Sequence, residues 1–410
     1  MKLLLITQYF PPEIGAPQNR LYELSCRLQS LGADITILTA MPNYPQMEIY
    51  DAYKNKKYCY ESINGLKVHR SFIYVSKSKS IFKRLLNYFS FVCSSYLTGI
   101  MKLDKKYDLV ICESPPLFLG LTAYFLSINK KAKLIFNVSD LWPESAEKLE
   151  IIKNKLLLQL ATYLEEYIYR KSELISCQTK GILNDIKGRF PKKQFYWLPN
   201  GVDLKFYDPS LYNKDWRKNN NFSDNDILFF YGGIIGHAQG LEVVLQAANL
   251  IKEQKEIKFI LLGSGPQKDM LLKMKKDLQL DQVYFFDSVP KNKMPDVISS
   301  MDAAIIPLKK LDIFLGAIPS KIFESLAMKK PIILGVDGEA KELFINKGEC
   351  GLFYEPENIK ELSNVILKLA ESDKLKGVLG ENGRDYVEKN FNRDTIADDF
   401  NKKLRKSFFN

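Results

Sequence analysis

Short apolar runs alternate repeatedly with longer segments of helical spacing along this chain, and this alternation limits the folds that it can adopt. In the first half, the runs that we interpret as strands are Lys2–Thr7, Asp34–Leu38, Lys67–Tyr74, Asp108–Cys112, Lys133–Val138 and Leu174–Cys177. The segment Gln18–Leu31 between the first two carries four leucines on one helical face, and Gly32 follows it as an end signal. Strands that alternate with helices predict a parallel sheet with helices on both faces.

The alternation restarts after the segment Pro199–Asp203. The second set of candidate strands is Ile227–Tyr231, Phe259–Leu262, Val283–Phe286, Ala303–Ile306, Pro331–Leu334 and Gly351–Tyr354. A chain of 410 residues is long enough for two domains with separate cores. The sequence therefore predicts an α/β protein of two doubly wound, Rossmann-like domains, residues 1–195 and 196–390, that face each other across a ligand-binding cleft.

Composition narrows the class of protein and the kinds of site it can carry. Hydrophobic residues make up 46% of the chain and charged residues 26%, as in an ordinary globular protein. The six cysteines are scattered without a C-x-x-C pair, which favours reduced thiols over a disulfide or zinc framework. Because His69 and His237 are the only histidines, a multi-histidine metal site is excluded. No signal peptide is visible, so we expect a cytoplasmic protein.

Positive charge is concentrated in the first half of the chain. The net charge of +11 lies wholly within residues 1–195, and the charges of residues 196–410 balance. Residues 77–106 hold seven basic residues and one acid around the seventeen uncharged residues Leu85–Met101. That length is short for a bilayer span. It favours a helix in the headgroup layer of an anionic inner membrane, with a core helix as the alternative. No nucleic-acid-binding motif accompanies the charge, so no nucleic acid partner is expected.

Three glycine-containing loops follow candidate strands and are candidate ligand sites. Gly15 and Ala16 lie in a Pro-rich loop before the first helix, where an anion can approach the helix amides. That loop lacks the G-x-G-x-x-G dinucleotide fingerprint, and an ordinary turn is the alternative. The richest loop contains Gly232, Gly233, Gly236, His237, Gln239 and Gly240, and it indicates close approach of a diphosphate. The turn with Gly263 and Gly265 is a weaker signal of the same kind.

Two further segments place acids near strand ends. Asp140 and Glu144 follow the candidate strand Lys133–Val138, and either could act as a base or orient a hydroxyl; Asp140 could equally cap a turn. The segment from Pro319 and Ser320 to Ile333 reads as a helix capped by Ser320 and followed by a buried strand. Glu324 lies near the start of that helix, where a carboxylate can bind the sugar hydroxyls of a nucleotide, or simply be solvated.

Taken together and in order, these pieces resemble glycosyltransferase family 4, whose members have the GT-B fold. The matching segments are Phe10–Gly15, Pro199–Asp203, Gly233–Gly240, Gly263–Pro266 and Glu324–Ile333, which cover nearly the whole chain. Within the family, Asp140–Ser145 and Pro319–Lys321 resemble the enzymes that build bacterial surface polysaccharides, including the L-fucosaminyl transferases of O-antigen.

The resemblance implies a retaining transfer of a sugar from a nucleotide donor, usually UDP-linked, without a metal or other cofactor. The C-terminal domain would hold the nucleotide, with Glu324 on the ribose hydroxyls and the glycine loop on the diphosphate. The N-terminal domain would hold the acceptor, and the last helix, residues 391–410, would pack back onto it. N-acetyl-L-fucosamine is one candidate sugar, and the expected acceptor is a lipid-linked saccharide at the inner face of the membrane.

The chain departs from the family pattern at the cations that would hold the diphosphate. Ile234 and Gln239 stand where many members carry an arginine and a lysine, and Gly316 stands where many carry a second glutamate. Lys321, three residues before Glu324, is therefore our candidate for the missing charge, with Lys309 and Lys310 as weaker ones. A UDP-sugar epimerase of the same fold and a non-catalytic protein that binds polyanions are the alternative functions.

Overall fold

The computed structural model describes residues 1–13, 15–78, 80–148, 152 and 154–409. It divides into two compact units. The first comprises Met1–Asn200 and the residues from Asp394 onward, and the second comprises Gly201–Arg393. The chain passes between the units twice, once at residues 200–201 and once at residues 393–394.

The first unit is built on an eight-stranded sheet in the order β3-β4-β2-β1-β5-β6-β7-β8. The strands are β1 (Lys2–Ile6), β2 (Asp34–Ala40), β3 (Tyr58–Ile63), β4 (Leu66–Ser71), β5 (Leu109–Ser114), β6 (Lys133–Val138), β7 (Leu174–Cys177) and β8 (Gln194–Trp197). All neighbours are parallel except β3 and β4. The six predicted strands are present, but β3 and β8 were not predicted. Both are edge strands with few buried side chains, so neither forms a continuous apolar run.

Helices cover both faces of this sheet. They are α1 (Ala16–Ser30), α2 (Ile81–Lys102), α3 (Leu119–Asn129), α4 (Glu144–Lys148), α5 (Lys155–Lys171), α6 (Lys180–Arg189) and, at the end of the chain, α15 (Arg393–Phe408). Side chains of β1 alternate between the two cores. Leu3 and Leu5 pack with Leu21 of α1 and Phe400 of α15. Leu4 and Ile6 join the core beneath α2, α3, α5 and α6.

The second unit contains a six-stranded sheet in the order β11-β10-β9-β12-β13-β14. Its strands are β9 (Ile227–Gly232), β10 (Ile257–Leu262), β11 (Val283–Phe286), β12 (Ala303–Pro307), β13 (Ile332–Gly335) and β14 (Gly351–Phe353), and all pairs are parallel. Each matches a predicted strand. The order reverses between β9 and β12, and in such sheets ligands bind at the carboxyl ends of the strands beside this switch point.

The helices of the second unit complete a doubly wound fold. They are α7 (Asp215–Asn219), α8 (Glu242–Leu250), α9 (Lys268–Asp277), α10 (Met294–Ser299), α11 (Lys321–Ala327), α12 (Glu339–Lys341), α13 (Ile359–Ala370) and α14 (Asp373–Phe391). The predicted fold class, two doubly wound α/β domains, is confirmed. Across the residues that the structure describes, no helix is both long and apolar enough to cross a membrane.

Candidate active site

The loops after β9 and β10 are held together by backbone hydrogen bonds. The Gly233 amide donates to the Leu262 carbonyl at 2.9 Å, and the Ile235 amide donates to the Ser264 carbonyl at 2.9 Å. A Cβ atom at Gly263 would lie 1.8 Å from the Gly233 carbonyl oxygen. One at Gly265 would lie 2.3 Å from the Ile235 carbonyl oxygen. Packing alone therefore explains why glycine occupies positions 263 and 265, because a side chain there would prevent the two loops from approaching this closely. Their role in ligand binding stays a prediction.

Lys321 reaches the loop after β9 from the first position of α11. Its Nζ atom lies over the ring of Tyr231, 3.9 Å from the centroid. A Cβ atom at Gly233 would lie 3.3 Å from the same Nζ atom. Burial lowers the pKa of Lys321 to about 7, and the charge of Glu324 opposes that shift. The structure thus brings together two of the predicted site residues, Gly233 and Lys321, at the switch point of the sheet.

The start of α11 differs from the prediction. Ser320 has helical dihedral angles (φ −61°, ψ −28°), and its side chain makes no capping hydrogen bond. The predicted cap is therefore wrong, because the first turn begins earlier: the Ile322 amide donates to the carbonyl of Pro319 at 3.1 Å, and that of Phe323 to Ser320 at 3.2 Å. The helix itself buries its apolar residues Ile322, Phe323, Leu326 and Ala327. Pro319, Ser320 and Glu324 remain partly exposed.

The glycine loop is partly exposed, and Ile234 is its one exposed large apolar side chain. A short 3-10 turn holds His237 and Gln239, and the Gln267 side chain contacts the His237 ring with Nε2 atoms 2.8 Å apart. The Gln239 Oε1 atom would lie 2.8 Å from a Cβ at Gly236, so this side chain folds over that glycine. Ile234 is 55% exposed. An exposed isoleucine in a glycine loop supplies no positive charge to a bound diphosphate.

The weaker cation candidates lie on the loop after β12. The Lys309 amide donates to the Ala238 carbonyl at 3.0 Å, which brings the backbone of this loop against the glycine loop. The Lys310 ammonium pairs with Glu355 at 2.8 Å. Because Lys310 is engaged with that carboxylate, Lys321 is better placed than Lys310 for a ligand on the glycine loop.

In the first unit, Asp140 and Glu144 lie in different surroundings. Asp140 follows β6 and accepts a hydrogen bond from the Ser145 hydroxyl at 2.5 Å. Burial raises the pKa of Asp140, and the charge of Glu144 adds to the shift. Glu144 begins α4, is about half exposed, and pairs with Lys148 at 2.6 Å. Asp140 is thus the shielded acid, and its titration lies nearer to neutrality than that of an ordinary aspartate.

A buried polar network lies beside Asp140 that the sequence did not reveal. The guanidinium of Arg20 pairs with Glu113, and its Nη2 also donates to the Ser139 hydroxyl at 2.7 Å. Asn137 donates to the other oxygen of Glu113 at 2.5 Å. The network joins α1, β5 and β6, and it includes Ser139, which immediately precedes Asp140. Glu113, an acid at the end of a buried strand, is the only signal in the sequence, and its partner is 93 residues away.

The loop before α1 is anchored by a buried acid. Glu13 accepts hydrogen bonds from the amides of Phe10 at 3.1 Å, Asn43 at 2.8 Å and Tyr44 at 2.9 Å. Burial outweighs these bonds and raises the pKa of Glu13. Glu13 thereby ties together the loops that follow β1 and β2, a role that no sequence pattern indicated.

The predicted residues Gly15 and Ala16 stand at the amino end of α1. Gly15 is extended (φ 176°), and α1 begins at Ala16. The Gln18 Oε1 atom lies 2.4 Å from the position of a Cβ at Gly15. This oxygen and Arg20 Nη1 are buried and have no hydrogen-bond partner among the described residues. Polar atoms of this kind are usually satisfied by water or a ligand.

Comparisons with known proteins follow the same division of the chain. The model of Glycosyltransferase Family 4 matches residues 18–206, and that of Glycosyl transferases group 1 matches residues 213–386. The chain is similar to a protein of Escherichia coli (strain K12) named "Putative colanic acid biosynthesis glycosyl transferase WcaI". The two are 25% identical over 416 residues, which cover 99% of this chain and 100% of WcaI.

Solved structures of low sequence identity share the fold. Sucrose-phosphate synthase from Thermosynechococcus elongatus gives a TM-score of 0.78 at 17% identity and covers 99% of each chain. Anabaena HepE, solved in complex with UDP-glucose, gives a TM-score of 0.72 at 16% identity over 99% of this chain and 100% of its own. Since the two family matches together span most of the chain, this protein belongs to the glycosyltransferases of the GT-B fold.

Proposed function

We propose that this glycosyltransferase transfers a sugar from a UDP-sugar to a lipid-linked saccharide during assembly of a bacterial surface polysaccharide. The observation that carries the proposal is the position of the Lys321 ammonium beside Gly233 and over the Tyr231 ring. Two relatives support the substrate classes. HepE is described with UDP-glucose, and WcaI is named for colanic acid biosynthesis.

In this proposal the second unit holds the donor. The diphosphate lies on the loop Gly233–Gly240, and Lys321 supplies the positive charge that Ile234 and Gln239 do not. A bound diphosphate raises the pKa of Lys321 from about 7, so that binding is accompanied by proton uptake near neutral pH. Glu324, one turn further along α11, accepts hydrogen bonds from the ribose hydroxyls.

The first unit holds the acceptor and orients it for attack. The acceptor hydroxyl attacks from the face that UDP leaves, with retention, and the leaving β-phosphate helps to take up its proton. Asp140 orients a hydroxyl of the acceptor or of the donor sugar, and Gly15, Ala16 and Glu144 line the acceptor. Catalysis rests on positioning and on stabilisation of the charge that develops on the diphosphate, without a metal or other cofactor.

The finer assignment follows the subgroup resemblance. Asp140–Ser145 and Pro319–Lys321 favour an O-antigen or capsule enzyme, with N-acetyl-L-fucosamine as the candidate sugar. The lipid-linked acceptor places the protein at the inner face of the plasma membrane, in contact with anionic lipid through residues 77–106.

A transfer assay with UDP-sugars and a lipid-linked acceptor tests the proposal. We expect Lys321→Ala and Glu324→Ala each to lower kcat/KM by about a hundredfold, since each removes a charged contact to the donor. Lys310→Ala is the matched control, because Lys310 lies on a neighbouring loop but pairs with Glu355, and it should leave the rate within about twofold.

Three outcomes would contradict the proposal. If Lys321→Ala and Glu324→Ala both transferred sugar at the wild-type rate, neither residue would take part in the reaction. Turnover of UDP-sugar without acceptor would favour the epimerase. Failure of UDP to raise the unfolding temperature, together with binding of polyanions, would favour the non-catalytic alternative.

A further inference from the structure

Helix α2 presents an apolar stripe to solvent in addition to its buried face. Its large exposed side chains are Phe82, Leu86, Phe89, Leu97, Ile100 and Met101, with exposed fractions between 40% and 72%. All but the adjacent pair at its end are spaced by three, four or eight residues, which places them on one side of a helix. On the opposite side, Asn87, Phe91 and Ser95 are buried.

Two neighbouring helices on the same face of the sheet repeat this arrangement. On α3, Phe125 and Ile128 are 49% and 59% exposed. On α5, Leu156, Leu160 and Tyr163 are 65%, 57% and 66% exposed. We call the exposed apolar side chains of α2, α3 and α5 together the outer apolar face. Nearly half of the large hydrophobic side chains that are exposed in the described residues belong to it.

Aromatic contacts join the three helices along this face. The rings of Tyr96 on α2 and Phe125 on α3 lie 6.1 Å apart, centroid to centroid. On the other side of α3, the rings of Tyr124 and Tyr167 of α5 lie 5.4 Å apart. The face is therefore continuous across three helices, and continuous apolar surface of this kind marks an interaction site in a soluble domain.

Charge identifies the partner as an anionic surface. Neither α2 nor α3 contains an acidic residue. Exposed lysines and arginines stand at both ends of α2 and α5; they are Lys83, Arg84, Lys102, Lys155, Lys171 and Arg170, the last of which pairs with Glu166 of α5. Apolar side chains bordered by basic ones suit a bilayer with anionic headgroups, because the apolar part enters the interface and the cations remain among the phosphates.

The outer apolar face is connected to the candidate acceptor loop. Phe89 of the face lies 4.9 Å from the ring of Phe118, and Phe118 lies 5.5 Å from that of Trp142. Trp142 is two residues after Asp140. Two ring contacts thus separate the face from the loop that carries the shielded acid.

We propose that the outer apolar face seats the first unit on an anionic bilayer, with α5 and α3 entering the interface together with α2. The loop of Asp140 is then held beside the lipid headgroups, where a lipid-linked acceptor is anchored. This inference rests on the proposed function for the acceptor. It enlarges the expected contact, residues 77–106, to include two helices that lie outside that segment.

Sedimentation of the full chain with vesicles tests the proposal. The vesicles are phosphatidylcholine alone or an equimolar mixture with phosphatidylglycerol, at low salt. The test variant replaces Leu156, Leu160 and Tyr163 with asparagine, and the control is Leu250→Asn on α8 of the second unit. Leu250 and Leu160 are both 57% exposed, so the control matches one of the three substitutions, Leu160→Asn, in side chain and exposure. We expect wild type to bind the anionic vesicles and the triple variant to bind about tenfold more weakly, while the control binds as wild type does.

Different results would overturn the proposal. One is failure of wild type to bind anionic vesicles. A second is that the triple variant of α5 binds the vesicles as wild type does, whereas Leu97→Asn on α2 abolishes binding. That result would confine the membrane contact to α2. A third is dimerisation through the face, seen by light scattering and lost in the triple variant. Sugar transfer to a water-soluble acceptor, measured in parallel, does not require the bilayer. It therefore distinguishes failure of the proposed function from failure of the proposed membrane contact. If that transfer is absent while vesicle binding persists, only the proposed function fails.

Discussion

At the scale of single residues, the most informative side chain is Lys321. Its Nζ atom is enclosed between the Tyr231 ring and the backbone of Gly233, and burial lowers its pKa to about 7. A lysine that holds its proton weakly in the free protein is destabilising, because the unfolded chain binds that proton more tightly. Such a cost at a candidate binding loop is typical of residues kept for function rather than for stability.

This cost can be measured through its dependence on pH. Between the folded pKa of about 7 and the ordinary value of 10.5, the folded state binds fewer protons than the unfolded state, so this lysine makes stability rise with pH. We expect Lys321→Met to be more stable than wild type at pH 7, because it removes the cost of the weakly held proton. Since the lysine side chain is partly exposed, solvent limits the expected difference to about 2 kcal/mol. The difference should vanish as the pH approaches 10.5.

Urea unfolding of both proteins at several pH values between neutral and strongly alkaline checks this expectation. Lys310→Met serves as the control, since Lys310 is exposed and its pKa is raised by Glu355. A stability difference between Lys321→Met and wild type that does not change with pH would mean that packing, and not the proton, accounts for it.

At the scale of elements, the candidate donor site depends on two loops that bond to each other. The loops after β9 and β10 share backbone hydrogen bonds, and the glycines at 263 and 265 make that approach sterically possible. Gly263 has φ +153°, a conformation that residues with side chains rarely adopt. The shape of the glycine loop is therefore set by its neighbour as well as by its own sequence.

A single methyl group should separate these loops. We expect Gly263→Ala to lower the free energy of unfolding by about 2–3 kcal/mol and to weaken UDP binding, because the new Cβ would displace the carbonyl of Gly233. Gly377→Ala in α14 is the control. Its Cβ would meet nothing within 4 Å, so it should raise stability slightly. Chemical denaturation and thermal shift with UDP measure both effects. Unchanged UDP binding in Gly263→Ala would show that the loop contact does not shape the donor site.

At the scale of the whole molecule, the chain leaves the first unit, forms the whole of the second and then returns to the first. The first unit is completed by residues that follow the second in the chain. Phe400 and Leu404 of α15 are fully buried and belong to the same core as Leu3, Leu21 and Leu28. The final helix is thus part of the first unit, although the second unit precedes it directly in the sequence.

Removal of this helix should affect one unit more than the other. We expect deletion of residues 394–410 to lower the unfolding midpoint of the first unit by about 10 °C or more, because it removes the four buried side chains of α15, which include Phe400 and Leu404, and exposes the core beneath them. The second unit should still be stabilised by UDP. Differential scanning calorimetry with and without UDP resolves the two effects. Loss of the UDP-dependent shift in the truncated protein would show that the units do not respond separately.

Much of the fold followed from the sequence because its signals are local. Buried parallel strands such as β1, β5, β9 and β12 are continuous apolar runs, and the strand-helix alternation fixes the fold class. The edge strands β3 and β8 were not predicted, because they bury few side chains and so lack the continuous apolar run by which the other strands were recognised. The prediction that Ser320 caps α11 was wrong, because backbone hydrogen bonds to the Pro319 and Ser320 carbonyls begin the first turn earlier.

Local patterns were enough to predict the fold class, the two-domain organisation and the glycine loop, because neighbouring residues carry each of these signals. Contacts between distant residues became apparent only in the folded chain. The tertiary structure placed Lys321 against Gly233, Arg20 against Glu113, and Glu13 across two loops. It also showed that the apolar stripes of α2, α3 and α5 form one surface. Such contacts depend on how helices pack on the sheet, and side chains separated by many residues carry no local pattern that reveals the pairing.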